Sequence, residues 1–201
     1  MKVIHKITLL PLLTSMLICC KDKTEEPIDD SAIRYEYFRL ENNGWKSKKN
    51  TQKINDIVFT ATEVPLPYYI LKESGSEDLF YADSIYQQNK RERIIEFEYS
   101  HQEEKDLLEK EFTSMNYQES VKYMSFSLEK DFYVVTSKQD TIACSGLTFE
   151  RNFKIAPYHK VLLFFTNIDP DDEIQLIYQD KLFKKGTLKF KFQEKITKLL
   201  L

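Results

Sequence analysis

The side chains that could do covalent chemistry in this chain are few and widely separated. Cysteines stand at positions 19, 20 and 144, and histidines at positions 5, 101 and 159. A Cys/His nucleophile needs a thiol beside a base and an orienting acid or amide, but no motif links Cys144 to His101 or His159. Cys144 lies in a strand-like run, which favours the role of a buried small hydrophobic residue. No catalytic residue is therefore predicted.

Metal chemistry is also weakly indicated. The chain has no His-Glu-x-x-His motif and no clustered Cys/His spacing. Asp169, Asp171, Asp172 and Glu173 could bind calcium through carboxylate oxygens, but they lack the spacing and the glycine of a calcium loop. Because Asp also stabilises turns locally, a structural role is favoured. The sequence predicts no metal ligand and no cofactor, and it leaves open whether Asp169, Asp171 and Asp172 bind a cation.

Three residues are candidates for noncovalent binding. Trp45 could be an exposed aromatic residue that stacks on a sugar or anchors a protein contact, or it could pack over a sheet edge. Glu150 and Arg151 lie between Phe149 and Phe153. Strand alternation places Arg151 on the face of Phe149, and an inward arginine needs an acidic partner. That partnership is expected to be structural, with a ligand contact as the alternative.

The first twenty residues have the organisation of a secretory signal. Lys2 and Lys6 precede an apolar block of twelve residues, 7–18. This order is typical of the basic and apolar regions of such signals. Twelve residues are too few to cross a bilayer, since a spanning helix needs about 20. The sequence Leu17-Ile18-Cys19-Cys20 resembles the lipobox of bacterial lipoproteins, in which an aliphatic, a variable and a small residue precede the modified cysteine.

This resemblance implies cleavage before Cys20 and attachment of diacylglycerol to its thiol. Two or more acyl chains anchor a protein stably, so the chain is expected at the bacterial cell envelope, held to the membrane by lipid on Cys20. The expected location is the outer membrane, on its periplasmic face or at the cell surface. We therefore divide the chain into a signal peptide (1–19), a lipidated flexible tether (20–32) and a single β-rich domain (33–201).

Composition narrows the choice of partner. Cleavage would remove Lys2 and Lys6 but no acid, so the 29 basic residues would fall to 27 against 32 acidic ones, a net charge of −5. An acidic chain does not favour nucleic acid as a partner. With only four glycines, the chain has no glycine-rich loop for a nucleotide phosphate. The 26 phenylalanines and tyrosines favour β structure.

Hydrophobic patterning predicts many short strands and one helix. Ser100 and Glu103 have the spacing of a capping box, and Leu108, Phe112 and Met115 share one helical face, which predicts a short amphipathic helix there. Strands are predicted at 33–40, 57–62, 68–71, 93–99, 124–128, 132–135, 141–144, 160–165, 173–178 and 187–192. This spacing predicts a mainly β fold, an antiparallel β-sandwich or open barrel.

Together, these features predict a membrane-anchored envelope lipoprotein whose domain is a non-catalytic binding or scaffold domain for another envelope protein. One alternative is a carbohydrate-binding module at the cell surface that uses Trp45. A second alternative is an envelope hydrolase with a carboxylate or Cys144 site that the motifs do not identify. The leucines at 199–201 are expected to pack on the domain or on a partner.

Overall fold

Two antiparallel sheets form the framework of the protein in the computed structural model, which describes residues 48–74, 79–153 and 155–192. Sheet A contains, from edge to edge, β1 (Lys48–Ile54), β2 (Ile57–Val64), β3 (Arg93–His101), β7 (Tyr158–Phe165) and β6 (Gly146–Glu150). Sheet B contains β5 (Thr141–Ala143), β4 (Phe132–Thr136), β8 (Ile174–Asp180) and β9 (Gly186–Lys191). The predicted fold class, mainly β with an antiparallel sandwich, is confirmed.

An aromatic core fills the space between the two sheets. The ring of Phe97 lies with its centroid 5.0 to 5.3 Å from those of Tyr99, Phe132, Tyr178 and Phe190, all in edge-to-face geometry. Such aromatic pairs contribute about 0.5–1.5 kcal/mol each beyond the burial of their area. Strand alternation directs these rings inward, which is why the period-two pattern located most strands correctly.

Most of the predicted strands are present, and two of the predictions are wrong. The strands predicted at 57–62, 93–99, 132–135, 141–144, 160–165, 173–178 and 187–192 all occur, with small shifts at their ends. Residues 68–71 are instead part of the helix α1 (Leu66–Ser74), and residues 124–128 lie at a helix end and in a 3-10 turn. The strand predicted at 33–40 lies outside the described residues.

Two helices cover part of the outer face of sheet A. α1 and α2 (Leu79–Asn89) pack in a small apolar cluster that includes Val64, Tyr68, Leu71, Ala82 and Ile94. Pro67 is the second residue of α1, a position in the first helical turn where proline is tolerated because its missing N–H has no partner there. This layer explains why the outer face of β3 is buried along half its length rather than exposed.

The amphipathic helix predicted from Ser100 is wrong in its position. β3 continues through His101, which pairs with Ile57 in the ladder, and the next helical residues are α3 (Lys110–Thr113). The capping box occurs later, at α4 (Tyr117–Phe126), where Asn116 and Glu119 exchange hydrogen bonds of 2.9 and 3.0 Å. Pairing of β3 with β2 satisfies the backbone groups that a helix cap at Ser100 would have satisfied. The sheet pairing therefore overrides the helix-start signal in the local sequence.

A 3-10 turn (Leu128–Asp131) joins α4 to β4. Among the described helices, none has the length and apolar character needed to cross a membrane.

The two sheets are joined along both sides. On one side the chain passes from β5 to β6 within two residues: the N–H of Cys144 donates to Phe132 in sheet B and that of Ser145 to Phe164 in sheet A. On the other side, the side-chain amides of Asn50 and Gln52 in β1 donate to backbone oxygens of β9 at 2.9 and 2.6 Å. The fold is therefore a sandwich whose edges are bridged as in an open barrel.

The strand registers define two ends of sheet A. At one end, Lys48 pairs with Glu63 and Arg93 with Phe165; we call this the Lys48 end. At the other, Ile54 pairs with Ile57 and Ser100 with Tyr158; we call this the Tyr158 end. A strand of seven residues such as β1 separates them by about 20 Å.

Candidate functional site

The loop between β6 and β7, residues 151–157, carries an exposed apolar tip at the Tyr158 end. We define the loop tip as Phe153 and Ile155, whose side chains are 68% and 89% exposed. The amide of Asn152 braces the loop from within by donating to the carbonyl oxygens of Ala156, at 3.0 Å, and Tyr158. Phe153 has φ of 50°, an uncommon value for a bulky residue. The bracing therefore holds two apolar side chains in contact with water.

The candidate residues Glu150 and Arg151 stand at the base of this loop tip. β6 ends at Glu150, so strand alternation stops before Arg151, and the expectation that Arg151 points inward is wrong. Its side chain is exposed, and its guanidinium lies 4.7 Å from the centroid of the Phe153 ring, within cation–π range. Glu150 pairs with Lys160 in the ladder and is also exposed. The tip thus combines an aromatic ring with a positive charge.

Beneath the loop lies a buried histidine that the sequence did not link to any partner. Nε2 of His159 lies 2.8 Å from Oδ1 of Asp106, 53 residues away in the chain. Burial lowers the pKa of His159, and the Asp106 carboxylate partly opposes this change. The imidazole is therefore neutral at pH 7 and donates through Nε2, because a carboxylate accepts only. The Nδ1 atom is buried, and no described residue forms a hydrogen bond with it.

A second buried polar group lies on the outer face of sheet A, under α1. The hydroxyl of Tyr69 donates to Oε1 of Glu96 at 2.7 Å, and Nζ of Lys160 lies 3.6 Å from Oε2 of the same carboxylate. Burial, together with the Glu96 charge, raises the pKa of Tyr69. The phenol therefore stays protonated and serves as a donor that holds α1 on the sheet, not as an acid or base.

The structure does not bring Cys144 to either histidine of the domain. Burial raises the pKa of Cys144 to about 11, and its thiol donates to the backbone oxygen of Gly146 at 3.0 Å. It contacts β7 at Phe164, five residues from His159 and therefore roughly 16 Å away along the strand. His101 is the last residue of β3; it is buried, and its ring lies 5.1 Å from that of Phe112.

The acidic turn between β7 and β8 has local partners for its carboxylates. Oδ1 of Asp169 accepts from the N–H of Asp171 at 3.1 Å, and Ser137 donates to Asp172. Nζ of Lys138 lies 3.9 and 4.0 Å from carboxylate oxygens of Asp169 and Asp172. Within the described ranges, no group of three or more His, Cys, Asp or Glu side chains is arranged to hold a metal ion. Asp169 and Asp172 are thus accounted for as turn-stabilising residues.

The remaining candidates, Cys20 and Trp45, lie outside the described residues. The sequence indicated Glu150 and Arg151, at the base of the loop, but not the exposure of Phe153 and Ile155. The available signal was two large apolar residues in a segment that is otherwise polar. Comparisons with protein-family models, with curated proteins and with solved structures found no match.

Proposed function

We propose that this protein is a membrane-anchored lipoprotein of the bacterial envelope whose β-rich domain binds another envelope protein, without catalysis, through its loop tip. The observation that carries the proposal is the exposed, internally braced pair Phe153 and Ile155. Binding residues are often on loops that a rigid scaffold positions. Aromatic and arginine side chains are also the commonest energetic anchors of protein interfaces, and Arg151 stacks on Phe153.

The position of the loop tip in the fold supports this role. The loop tip lies at the end of sheet A opposite Lys48, the first residue of β1, about 20 Å away along the strands. Tethering also raises the effective concentration of the tip at the membrane, so a weak contact suffices.

The placement of the reactive groups favours binding over hydrolysis. The thiol of Cys144, with its pKa raised to about 11, is protonated at neutral pH, and it lies at the Lys48 end. His159 is buried at the Tyr158 end beside Asp106. A nucleophile and its base need hydrogen-bonding contact, so these groups do not support the hydrolase alternative.

The test is crosslinking of the full, processed protein in its native membranes, followed by copurification. The double variant Phe153→Ser with Ile155→Ser should reduce recovery of the crosslinked envelope protein at least about tenfold, the loss expected when interface anchors are removed. The matched control is Phe80→Ser, because Phe80 is 74% exposed but belongs to α2, in the layer at the Lys48 end. Equal recovery with the double variant and the wild type would refute the proposed role of the loop tip.

Anchoring needs a separate test, since it can fail while the binding proposal stands. The variant Cys20→Ala should move from membrane to soluble fractions, and mass spectrometry of the wild type should find acyl groups on Cys20. Retention of Cys20→Ala in the membrane, or an unmodified N-terminus, would refute lipid attachment.

A further inference from the structure

Four exposed lysines form a line on the side of the sandwich where β1 and β9 lie next to each other. We define them as the basic strip: Lys49, Lys53, Lys189 and Lys191. The side-chain amides of Asn50 and Gln52 donate to the backbone oxygens of Lys191 and Lys189, so the lysines of the two strands alternate along the line. The strip extends over about 13 Å, the length of four residues in a strand.

Strand alternation directs these four side chains away from the core. In β9, Leu188 and Phe190 are buried between the sheets, so the lysines next to them in the chain face outward. In β1, Ile54 packs against the core, and Lys49 and Lys53 therefore lie on the opposite face of the strand. All four charges are accordingly presented to solvent.

The charge of the basic strip is not neutralised within the sheets. The residues opposite its lysines in the strand ladders are all uncharged: Thr62, Val58, Ile177 and Gln175. Among the described residues, no carboxylate lies within ion-pair distance of a strip lysine. A chain with a net charge of −3 therefore carries a local positive surface that its composition does not reveal.

Acids near the basic strip lie at its margins. Glu173 precedes β8 and lines a polar groove together with Lys191, but no ion pair joins the two side chains. On the other side, Glu96 lies on β3, two strands from β1, and its carboxylate is 3.6 Å from Nζ of Lys160. Glu98 stands opposite the same Lys160 in the ladder. These acids leave the middle of the strip positively charged.

We propose that the basic strip contacts the anionic headgroup surface of a phospholipid bilayer. Lysine suits such a surface because its ammonium group is a hydrated point charge on a flexible stem, whereas a specific phosphate or carboxylate site favours the planar fork of arginine. The neighbouring outward residues Thr51 and Thr187 offer no aromatic ring on which a nucleobase could stack. Each lysine near an anionic bilayer strengthens binding roughly fivefold, so four can act together without a pocket.

The proposal rests on the proposed membrane location, which would keep the basic strip within reach of headgroups. It leaves the loop tip available as a second contact surface. β1 and β6 are opposite edges of sheet A, separated by four strand spacings or about 20 Å. A bilayer in contact with β1 therefore does not cover Phe153 and Ile155, which follow β6.

Vesicle binding by a chain without lipid tests the proposal separately from lipid attachment. The chain expressed from residue 20 with Cys20→Ala has no thiol to acylate at that position, so its affinity for vesicles reports on the polypeptide alone. Vesicles with about 30% phosphatidylglycerol in phosphatidylcholine should bind it at least about tenfold more tightly than vesicles of phosphatidylcholine. Raising the salt concentration to about 0.5 M should abolish the difference. Equal binding to both kinds of vesicle would overturn the proposal.

Two sets of four substitutions with the same change in charge locate the effect. Replacing all four lysines of the basic strip with glutamine in this chain should weaken binding to the anionic vesicles at least about tenfold. The matched control replaces four exposed lysines elsewhere in the domain with glutamine and should weaken binding less than about twofold, since these lysines do not share one surface line: Lys90, Lys110, Lys122 and Lys130. Equal losses for the two sets would overturn the proposal, because net charge would then be responsible.

Lysine acetylation without these substitutions keeps the proposal falsifiable if they disturb folding. Anionic vesicles should slow acetylation of the strip lysines about fivefold, while acetylation of Lys122 and Lys130 should not change, as measured by mass spectrometry. Equal protection of both groups would overturn the proposal. Tighter binding to a single-stranded oligonucleotide than to the anionic vesicles would assign the strip to nucleic acid instead.

Discussion

The two ends of sheet A both carry buried polar side chains, but these side chains have different partners at each end. At the Lys48 end, Arg93 donates to the Glu63 carboxylate at 2.8 Å and to the backbone oxygens of Asp169 and Pro170 at 2.8 and 2.7 Å. At the Tyr158 end, a neutral His159 donates to Asp106, and its other ring nitrogen has no hydrogen-bonding partner among the described residues.

The Lys48 end therefore holds segments of the chain together, whereas the Tyr158 end presents side chains to solvent. Arg93 donates hydrogen bonds to main-chain oxygens of the β7–β8 turn. At the Lys48 end, elements that lie far apart in the chain are therefore joined by hydrogen bonds. The Tyr158 end instead has a loop braced from within by Asn152, which leaves Phe153 and Ile155 in solvent. One end joins distant segments of the chain by hydrogen bonds, and the other exposes two apolar side chains.

The largest effect is expected at the Lys48 end. Arg93→Met should lower the free energy of unfolding by about 3–5 kcal/mol, because it leaves the buried Glu63 carboxylate without its main cation. Arg91→Met is the matched control: Arg91 is exposed and donates to the backbone oxygen of Asn167 at 3.1 Å, so its loss should cost less than about 1 kcal/mol. Chemical denaturation of both variants measures the difference.

The double variant Arg93→Met with Glu63→Met distinguishes two causes of the stability loss in Arg93→Met: an unpaired buried charge and lost packing. It should recover part of the lost stability, since replacing a buried ion pair by apolar residues is often close to neutral. If Arg93→Met and Arg91→Met unfold at the same denaturant concentration, the buried cluster does not fix the Lys48 end and the contrast with the Tyr158 end fails.

A smaller, pH-dependent effect is expected at the Tyr158 end. Burial lowers the pKa of His159 below its ordinary value of 6.5, so the unfolded chain binds the proton first as the pH falls. The contribution of neutral His159 to stability is complete above pH 6.5 and is lost as the pH decreases through 6.5 toward the lowered value. One proton limits the slope to about 1.4 kcal/mol per pH unit.

Denaturation at pH 7.5 and pH 5.5 checks this sign. Wild type should lose more stability between the two values than His159→Gln, which retains a polar side chain but does not titrate. Because both proteins share all other acids and bases, the difference isolates His159. An equal loss in the two proteins would show that protonation of this histidine does not affect the fold.

The smallest effect on stability is expected at the loop tip. The double variant Phe153→Ser with Ile155→Ser should change the free energy of unfolding by no more than about 0.5 kcal/mol, since neither side chain is part of the core. A thermal denaturation curve that coincides with that of wild type would confirm this. A loss comparable to that of Arg93→Met would mean that the tip supports the fold and would remove the contrast between the ends.

The sequence was sufficient for most strands because their inward apolar residues repeat every second position, as with Ile57, Phe59 and Ala61 in β2. It was insufficient for α1, where a short apolar run after two prolines fits a strand as well as a helix. Only contacts with the outer face of sheet A decide between the two, and these come from residues such as Ile94, far away in the chain.

The position of the candidate site in the chain was predictable, but the arrangement of its side chains was not. Glu150 and Arg151 were candidates from the sequence, and they lie where β6 ends and the loop begins. The brace from Asn152 sets which side chains face water, and no local pattern encodes it. The pairing of His159 with Asp106 joins residues 53 positions apart, so only the folded chain brings them together.

The opposite placement of Lys48 and the loop tip also governs how the domain responds to mechanical force. Tension applied between these points acts along the axes of the strands. In that direction the β1–β2 hydrogen bonds across seven paired residues resist together as a shear load. Tension applied across the strands would instead separate the same bonds one after another, like a zipper.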